Sequence, residues 1–216
     1  MISAAPITTL FLDLGNVLLT DSWSSTLRQR AVETFAFDVT EVAKRSQLAF
    51  EAYELGKLSL DEFLDIVVFY RPQSFSRTEL KEFMLAQSQA YPDMLALIRE
   101  LKERYGLKIV VVNNDGRDFI EYRIQRFGLA EFVDTFVVSC FVHYRKPDPD
   151  IYRLALNISY TQPGQALYID DQALFVETAR HLGIRGICHT SYSSTRAALA
   201  LLGLSLDRHS HRNVAA

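Results

Sequence analysis

Residues 10–19 read Leu-Phe-Leu-Asp-Leu-Gly-Asn-Val-Leu-Leu, running from Leu10 to Leu19. Ile7 to Leu12 is apolar or β-branched throughout and has no helical period, which predicts a strand buried on both faces. Asp13 follows at once, and Gly15-Asn16 supplies turn chemistry. A carboxylate at the C-terminal end of a central strand lies where open α/β sheets bind ligands, in the crevice beyond the strand ends. Taken alone, the stretch is equally compatible with a strand that merely ends in an Asp-containing turn. The rest of the chain has to decide.

Beyond this strand the pattern changes. From Ser22 to about Gln89 the periodicity is helical. Leu27, Ala31, Val32 and Phe35 recur at helical spacing, then Val42, Leu48, Ala49, Ala52 and Tyr53 in a second segment that Gly56 breaks. Ser59-Leu-Asp-Glu62 and Ser76-Arg-Thr-Glu79 are capping boxes that open two more helices, in which hydroxyl and carboxylate satisfy orphan amides. From Tyr91 onward strands alternate with helices. Strands are predicted over Lys108–Val112, Thr135–Ser139, Ala166–Ile169 and Arg185–His189. Helices are predicted from Pro92 to Gly106, Phe119 to Phe127, Pro147 to Leu156, up to His181, and Ser194 to Leu202. Alternation of this kind means α/β architecture, a doubly wound parallel sheet with helices on both faces. The expected division is an α/β core over 1–19 and 91–216, with an inserted all-helical unit over 20–90.

Composition narrows the classes. The chain has 216 residues, about half of them hydrophobic, and a formal net charge of −3. That is not a nucleic-acid-binding surface, and no apolar run approaches the ~18 residues of a membrane span. The first residues lack a positive n-region and Asp13 interrupts their apolar run, so they are not read as a signal peptide. Cys140 and Cys188 show neither metal spacing nor a disulfide framework, so a cytoplasmic location is expected. His209 and His211 lie in a polar tail and are not expected to be ligands. Val67 to Tyr70 is apolar enough for either a core or an interface, and the oligomeric state is not legible.

The polar residues fall at the strand ends: Asp13, Asn113, Asp170 with Asp171, and Arg145-Lys146 in the loop after the third strand. In a right-handed parallel sheet these ends share one edge, so the residues converge on one crevice. Several carboxylates there repel one another unless a cation sits between them. A few oxygen ligands with room for water favour Mg²⁺ over zinc.

These motifs resemble the haloacid dehalogenase (HAD) superfamily of hydrolases, mostly phosphatases, in the branch with Asp-Leu-Gly-Asn-Val in the first motif and a helical cap inserted after it. Four motifs occur in order: Phe11-Leu-Asp13-Leu-Gly-Asn-Val17, Val111-Val-Asn113-Asn-Asp-Gly116, Arg145-Lys146-Pro147-Asp148-Pro149 and Tyr168-Ile-Asp170-Asp171. The resemblance implies a Rossmann-like core and Mg²⁺-dependent hydrolysis of a small phosphorylated metabolite, a sugar phosphate being one candidate. Asp13 matches the nucleophile that forms an aspartyl-phosphate. Lys146 matches the lysine that neutralises the carboxylate cluster. Asp13, the Gly15 carbonyl and Asp171 match the metal ligands, with Asp170 a neighbouring partner. Asn113 and Asn114 stand where phosphate donors are expected.

Two positions depart from the family pattern. Gly15 replaces the usual acid/base aspartate, which keeps the carbonyl but removes a proton donor worth ~10²–10⁴-fold in rate. Asn113 replaces Ser or Thr, and its amide can donate instead of a hydroxyl. The helical insert looks like a mobile cap, with substrate contacts expected near Trp23 and Tyr53 to Lys57. Arg117, Asp118 and His143 have no place in the motif set. The competing readings are a metal-independent 2-haloacid dehalogenase, which also lacks the second aspartate, and a weakly catalytic or non-catalytic binding protein on the same fold.

Overall fold

The computed structural model describes residues 5–21 and 25–206, so Trp23, His209 and His211 lie outside the described residues. Five strands, β1 (Thr9–Leu12), β2 (Lys108–Asn113), β3 (Thr135–Val138), β4 (Ala166–Asp170) and β5 (Arg185–Cys188), form one sheet. All pairs are parallel, in the order β3-β2-β1-β4-β5. The continuous apolar runs have a physical cause: each strand is covered on both sides. Leu10, Leu12, Ile109, Val111, Leu167 and Ile169 pack into one core layer. Phe11, Val110, Val112, Ala166 and Tyr168 pack into the opposite one. Full burial of such a side chain stabilises by about 1.5–3 kcal/mol each.

Helices α1 (Ser25–Phe35), α2 (Val39–Glu54), α3 (Leu60–Val67) and α4 (Arg77–Ala86) precede β2, as does α5 (Pro92–Tyr105). Further on come α6 (Arg117–Arg126), the short α7 (Ser139–Val142), α8 (Pro149–Ser159), α9 (Ala173–His181) and α10 (Tyr192–Leu201). Both capping boxes form, with Ser59 paired to Glu62 and Ser76 to Glu79. α7 begins at Ser139, one residue inside the strand expected there. Among the described residues no helix is long and apolar enough to cross a membrane.

α1 to α4 build an apolar cluster that also takes in Phe119 of α6; Val67 and Val68 are buried in it and Phe69 packs against it. Leu48 is the exception to the expected stripe: it faces solvent at 80 % exposure, because its place on α2 lies off the line of Val42, Ala49 and Tyr53. The insert leaves and rejoins the sheet through two hydrogen-bonded segments. Thr20 N donates to Gln89 O (2.8 Å), Gln89 N to Thr20 Oγ1 (2.9 Å), and Tyr91 N to Leu18 O (2.9 Å).

The insert is also docked on the core. His143 Nδ1 lies 2.7 Å from Leu55 O, Leu60 N donates to Asp118 Oδ2 (3.3 Å), and Lys81 pairs with Asp118 (3.6 Å). These contacts account for His143 and Asp118, two residues that no motif explained. Gly56 makes the closest approach: its φ is +68°, and a Cβ there would meet Cys140 O at 2.4 Å. Gly56→Ala is therefore expected to destabilise the protein by about 2 kcal/mol or more, combining left-handed backbone strain with a clash against main chain. A shift in the urea midpoint measures this, and an unchanged midpoint would contradict the contact.

Candidate active site

The strand order reverses between β1 and β4, which puts the ligand crevice of a doubly wound sheet at their C-terminal ends. Register brings the key residues there: Leu12 pairs with Ile169, and Asp13 N donates to Ile169 O (3.0 Å). After Asp13 the chain turns tightly, Leu18 N and Leu19 N both bonding Leu14 O. Asn16 sits at φ +54°, a left-handed position that asparagine adopts more readily than most residues. Its Nδ2 donates to Asp171 Oδ2 (3.1 Å), tying the first motif to the fourth.

Lys146 is the centre of the cluster. Its Nζ lies 2.6 Å from Asp13 Oδ1 and 2.7 Å from Asp170 Oδ2, with the side chain only 2 % exposed. The loop that carries it is clamped by Asn114, whose Oδ1 accepts from Lys146 N (2.8 Å) and whose Nδ2 donates to Lys146 O (2.9 Å). The Asn114 side chain, expected as a phosphate donor, is thus committed to positioning Lys146. Asn113 is buried: its Oδ1 accepts from Leu14 N (3.4 Å), and its Nδ2 points at Asp115 Oδ2 (3.5 Å) while lining the cavity. Asp170 is fully buried and fully used, accepting from Lys146, the Tyr168 hydroxyl and Gln172 N.

Burial pulls the Lys146 ammonium down, but the Asp13 and Asp170 carboxylates outweigh it and hold the lysine charged. Asp13 moves the other way. Burial lifts its pKa to about 7, and Asp170 and Asp171 push in the same direction against the pull of Lys146. One ammonium does not balance three carboxylates. One oxygen each from Asp13, Asp170 and Asp171 lie within 4.8 Å of one another. Asp170 is taken up by Lys146, the Tyr168 hydroxyl and Gln172 N, which leaves Asp13 and Asp171 as oxygen donors of the kind a hard divalent cation takes. Asp13 Oδ2 is free of Lys146, and Asp171 is only partly buried. Space above Gly15 is open as well, since a Cβ there would meet nothing closer than 3.7 Å. The donor set fits Mg²⁺.

A cavity of 190 Å³ opens over these groups, lined also by Asp21, Glu54, Arg123 and Arg145. A larger groove of 690 Å³ adjoins it and shares Asn16 and Asp171, but Asp13 and Lys146 line only the smaller one. Glu54, at the end of α2, pairs with Arg145 (2.6 Å). Burial raises the Glu54 pKa while Arg145 opposes the rise. The segment 53–57, expected to face substrate, thus places Glu54 in the wall, whereas the buried Tyr53 ring lies against Gly116.

Arg123 escaped the sequence reading. It is 1 % exposed, and its guanidinium bonds Asp115 Oδ2 (2.9 Å), Ser88 Oγ (3.2 Å) and Thr20 O (2.9 Å). The available signal was its place between Phe119, Ile120, Ile124 and Phe127, a charge inside the apolar stripe of α6. Asp21 carried no local signal.

The sequence profile of the haloacid dehalogenase-like hydrolases matches residues 7–183. Phosphatase MT3486 of Mycobacterium tuberculosis is 34% identical over 131 residues, 57% of this chain and 58% of its own length. The phosphoglycolate phosphatase of Rhodospirillum rubrum is 30% identical over 155 residues, 72% of this chain and 62% of its own. The chain thus spans about three fifths of these two relatives, and about a fifth of the bifunctional epoxide hydrolase 2 of Rattus norvegicus, which it also matches. A HAD family enzyme of Bacteroides thetaiotaomicron, crystallised with magnesium and inorganic phosphate, has the same fold. Its TM-score is 0.74 at 19% identity, covering 85% of this chain and 94% of that one.

Proposed function

The chain belongs to the haloacid dehalogenase-like hydrolases, and on that premise we propose that it is a Mg²⁺-dependent phosphatase of a small phosphorylated metabolite. The observation that carries the reading is the Asp13–Lys146–Asp170 array with Asp171 beside it. A dehalogenase attacking carbon has no use for the second carboxylate of the fourth motif, whereas a phosphatase needs it to hold a cation against a dianionic ester. Phosphatases among the relatives support the same choice.

Asp13, the Gly15 carbonyl and Asp171 would hold the metal, with Asp170 behind them locking Lys146. Bound there, Mg²⁺ supplies positive charge to the phosphoryl oxygens and to the carboxylates. Asp13 attacks phosphorus in line with the leaving oxygen, giving an aspartyl-phosphate that water then hydrolyses. Lys146 offsets the charge of the nucleophile and the transferring group. The Asn113 amide is the neutral side-chain donor available to the phosphoryl oxygens, because Asp115 N and Gly116 N already donate to Ser139 Oγ and Asp115 Oδ1. The 190 Å³ of space over Asp13 suits a small substrate, and its wall of Glu54 and Arg145 suits a polar one. The helical insert, docked over the crevice through Glu54 and Leu55, acts as the cap that excludes water.

Phosphate release from 4-nitrophenyl phosphate, with Mg²⁺ and with EDTA, tests the reading. Turnover with Mg²⁺ that EDTA abolishes is expected. Folded protein that releases no phosphate at any Mg²⁺ concentration would overturn it.

A further inference from the structure

Gly15 leaves a gap beside the nucleophile, and another carboxylate faces that gap. A Cβ placed on Gly15 would have Asp13 Oδ2 at 3.7 Å and Asp21 Oδ1 at 3.9 Å as its nearest side-chain atoms. Asp21 lines the same cavity as Asp13 and Lys146. It is held there by its neighbour: Thr20 N bonds Gln89 O, Thr20 O accepts from Arg123, and Thr20 Oγ1 bonds both Gln87 O and Gln89 N. The other acids of the cavity are engaged. Asp171 accepts from Asn16 and Gln172, and Glu54 is paired with Arg145. Among the described residues the Asp21 carboxylate has no hydrogen bond or ion pair.

The geometry points to Asp21 as the proton donor and acceptor of the reaction, reaching from six residues downstream into the space that a side chain at 15 would fill. This rests on the phosphatase reading above. In the first half-reaction an Asp13 oxygen forms a bond to phosphorus as the ester P–O bond breaks, and Asp21 gives its proton to the leaving oxygen. In the second, Asp21 takes a proton from water as the water oxygen bonds phosphorus. The bond from phosphorus to Asp13 breaks, releasing phosphate and restoring both carboxyl groups to their starting states.

The test compares wild type, Asp21→Asn and the double variant Gly15→Asp/Asp21→Asn on phenyl phosphate and 4-nitrophenyl phosphate with Mg²⁺. A leaving group that departs as a stable anion needs little protonation; phenolate needs more. In Asp21→Asn, kcat/KM for phenyl phosphate should fall ~10²–10⁴-fold and that for 4-nitrophenyl phosphate less than about tenfold. Acid-quenched samples should show aspartyl-phosphate accumulating, because water attack has lost its base. Gly15→Asp should restore the phenyl ester, since the new side chain starts from an open position with ordinary φ. Wild type active on both esters, with Asp21→Asn lowering both equally or neither, would sink the assignment alone. So would the same leaving-group signature appearing in Glu54→Gln and not in Asp21→Asn. Wild type inactive on every ester overturns the phosphatase reading and this inference together.

Discussion

Asp13→Asn should abolish phosphate release, lowering kcat by more than about 10³-fold, because an amide oxygen is too weak a nucleophile to open the phosphate ester. The same change should leave the fold intact. Burial and the neighbouring carboxylates raise the Asp13 pKa to about 7, so its charged form is disfavoured in the native protein. The native state then binds the extra proton between the unfolded carboxylate range and pH 7, and stability falls as pH rises through that window. Metal-free Asp13→Asn is therefore expected to be at least as stable as metal-free wild type at pH 8, with the advantage shrinking toward pH 4. Mg²⁺ should raise the melting temperature of wild type through binding to the native state and leave that of the variant almost unmoved. Phosphate release and thermal melts, with Mg²⁺ and with EDTA at both pH values, check all three outcomes. A variant that retained a tenth of wild-type turnover would remove Asp13 from the nucleophile's role.

Arg123→Ala should produce the largest loss of stability. The guanidinium is buried against Asp115, itself 3 % exposed, and also holds Thr20 O on the outgoing linker and Ser88 on the returning one. Deleting one partner of a buried ion pair costs about 3–5 kcal/mol, because the other charge is left without compensation. Against a typical total of about 5–15 kcal/mol, that loss brings the chain close to unfolding. The pairing should be non-additive: Arg123→Met/Asp115→Asn, which removes both charges, is expected to recover part of what Arg123→Met alone loses. Urea denaturation of wild type, Arg123→Met, Asp115→Asn and the double variant provides the cycle, and Arg123→Ala within about 1 kcal/mol of wild type would show that the pair contributes little. Arg123 fastens both crossings between insert and sheet, so limited proteolysis of Arg123→Ala should cut first around 19–21 and 87–90.

The two variants separate the electrostatics of the site from its architecture. Around Asp13 the charges are arranged against stability: carboxylates crowd a buried point, and Lys146 offsets only part of the repulsion. Around Arg123 the charges are arranged for cohesion, with each nitrogen of the guanidinium bonded to a different segment. The first arrangement suits the cation and phosphoryl group of the proposed reaction. The second ties both linkers of the insert to the start of α6.

Much of the fold was legible because its causes are local. The apolar runs of β1, β2 and β4 gave buried strands, Ser59 and Ser76 gave helix starts, and strands alternating with helices gave a parallel sheet whose C-terminal ends gather Asp13, Asn113 and Asp170. Lys146 could be assigned to the same edge for that reason. The partners each charge would choose were not legible. Asn114 and Lys146 are 32 residues apart and Asn16 and Asp171 are 155 apart, and nothing in their spacing distinguishes a clamp from a ligand. Asp21 and Arg123 stand outside every motif, and Glu54 falls inside the segment 53–57 expected near substrate with nothing to mark it out from its neighbours. Sequence by itself determined the layering of the sheet, the existence of the helical insert and the shared edge of the motif residues, since periodicity, caps and turns act over a few residues. Only the tertiary structure decided that Arg123 is buried, that Glu54 reaches the cavity wall and that Asp21 faces the gap at Gly15. Burial and through-space distance set those partnerships, and both arise only when segments far apart in the chain are packed together.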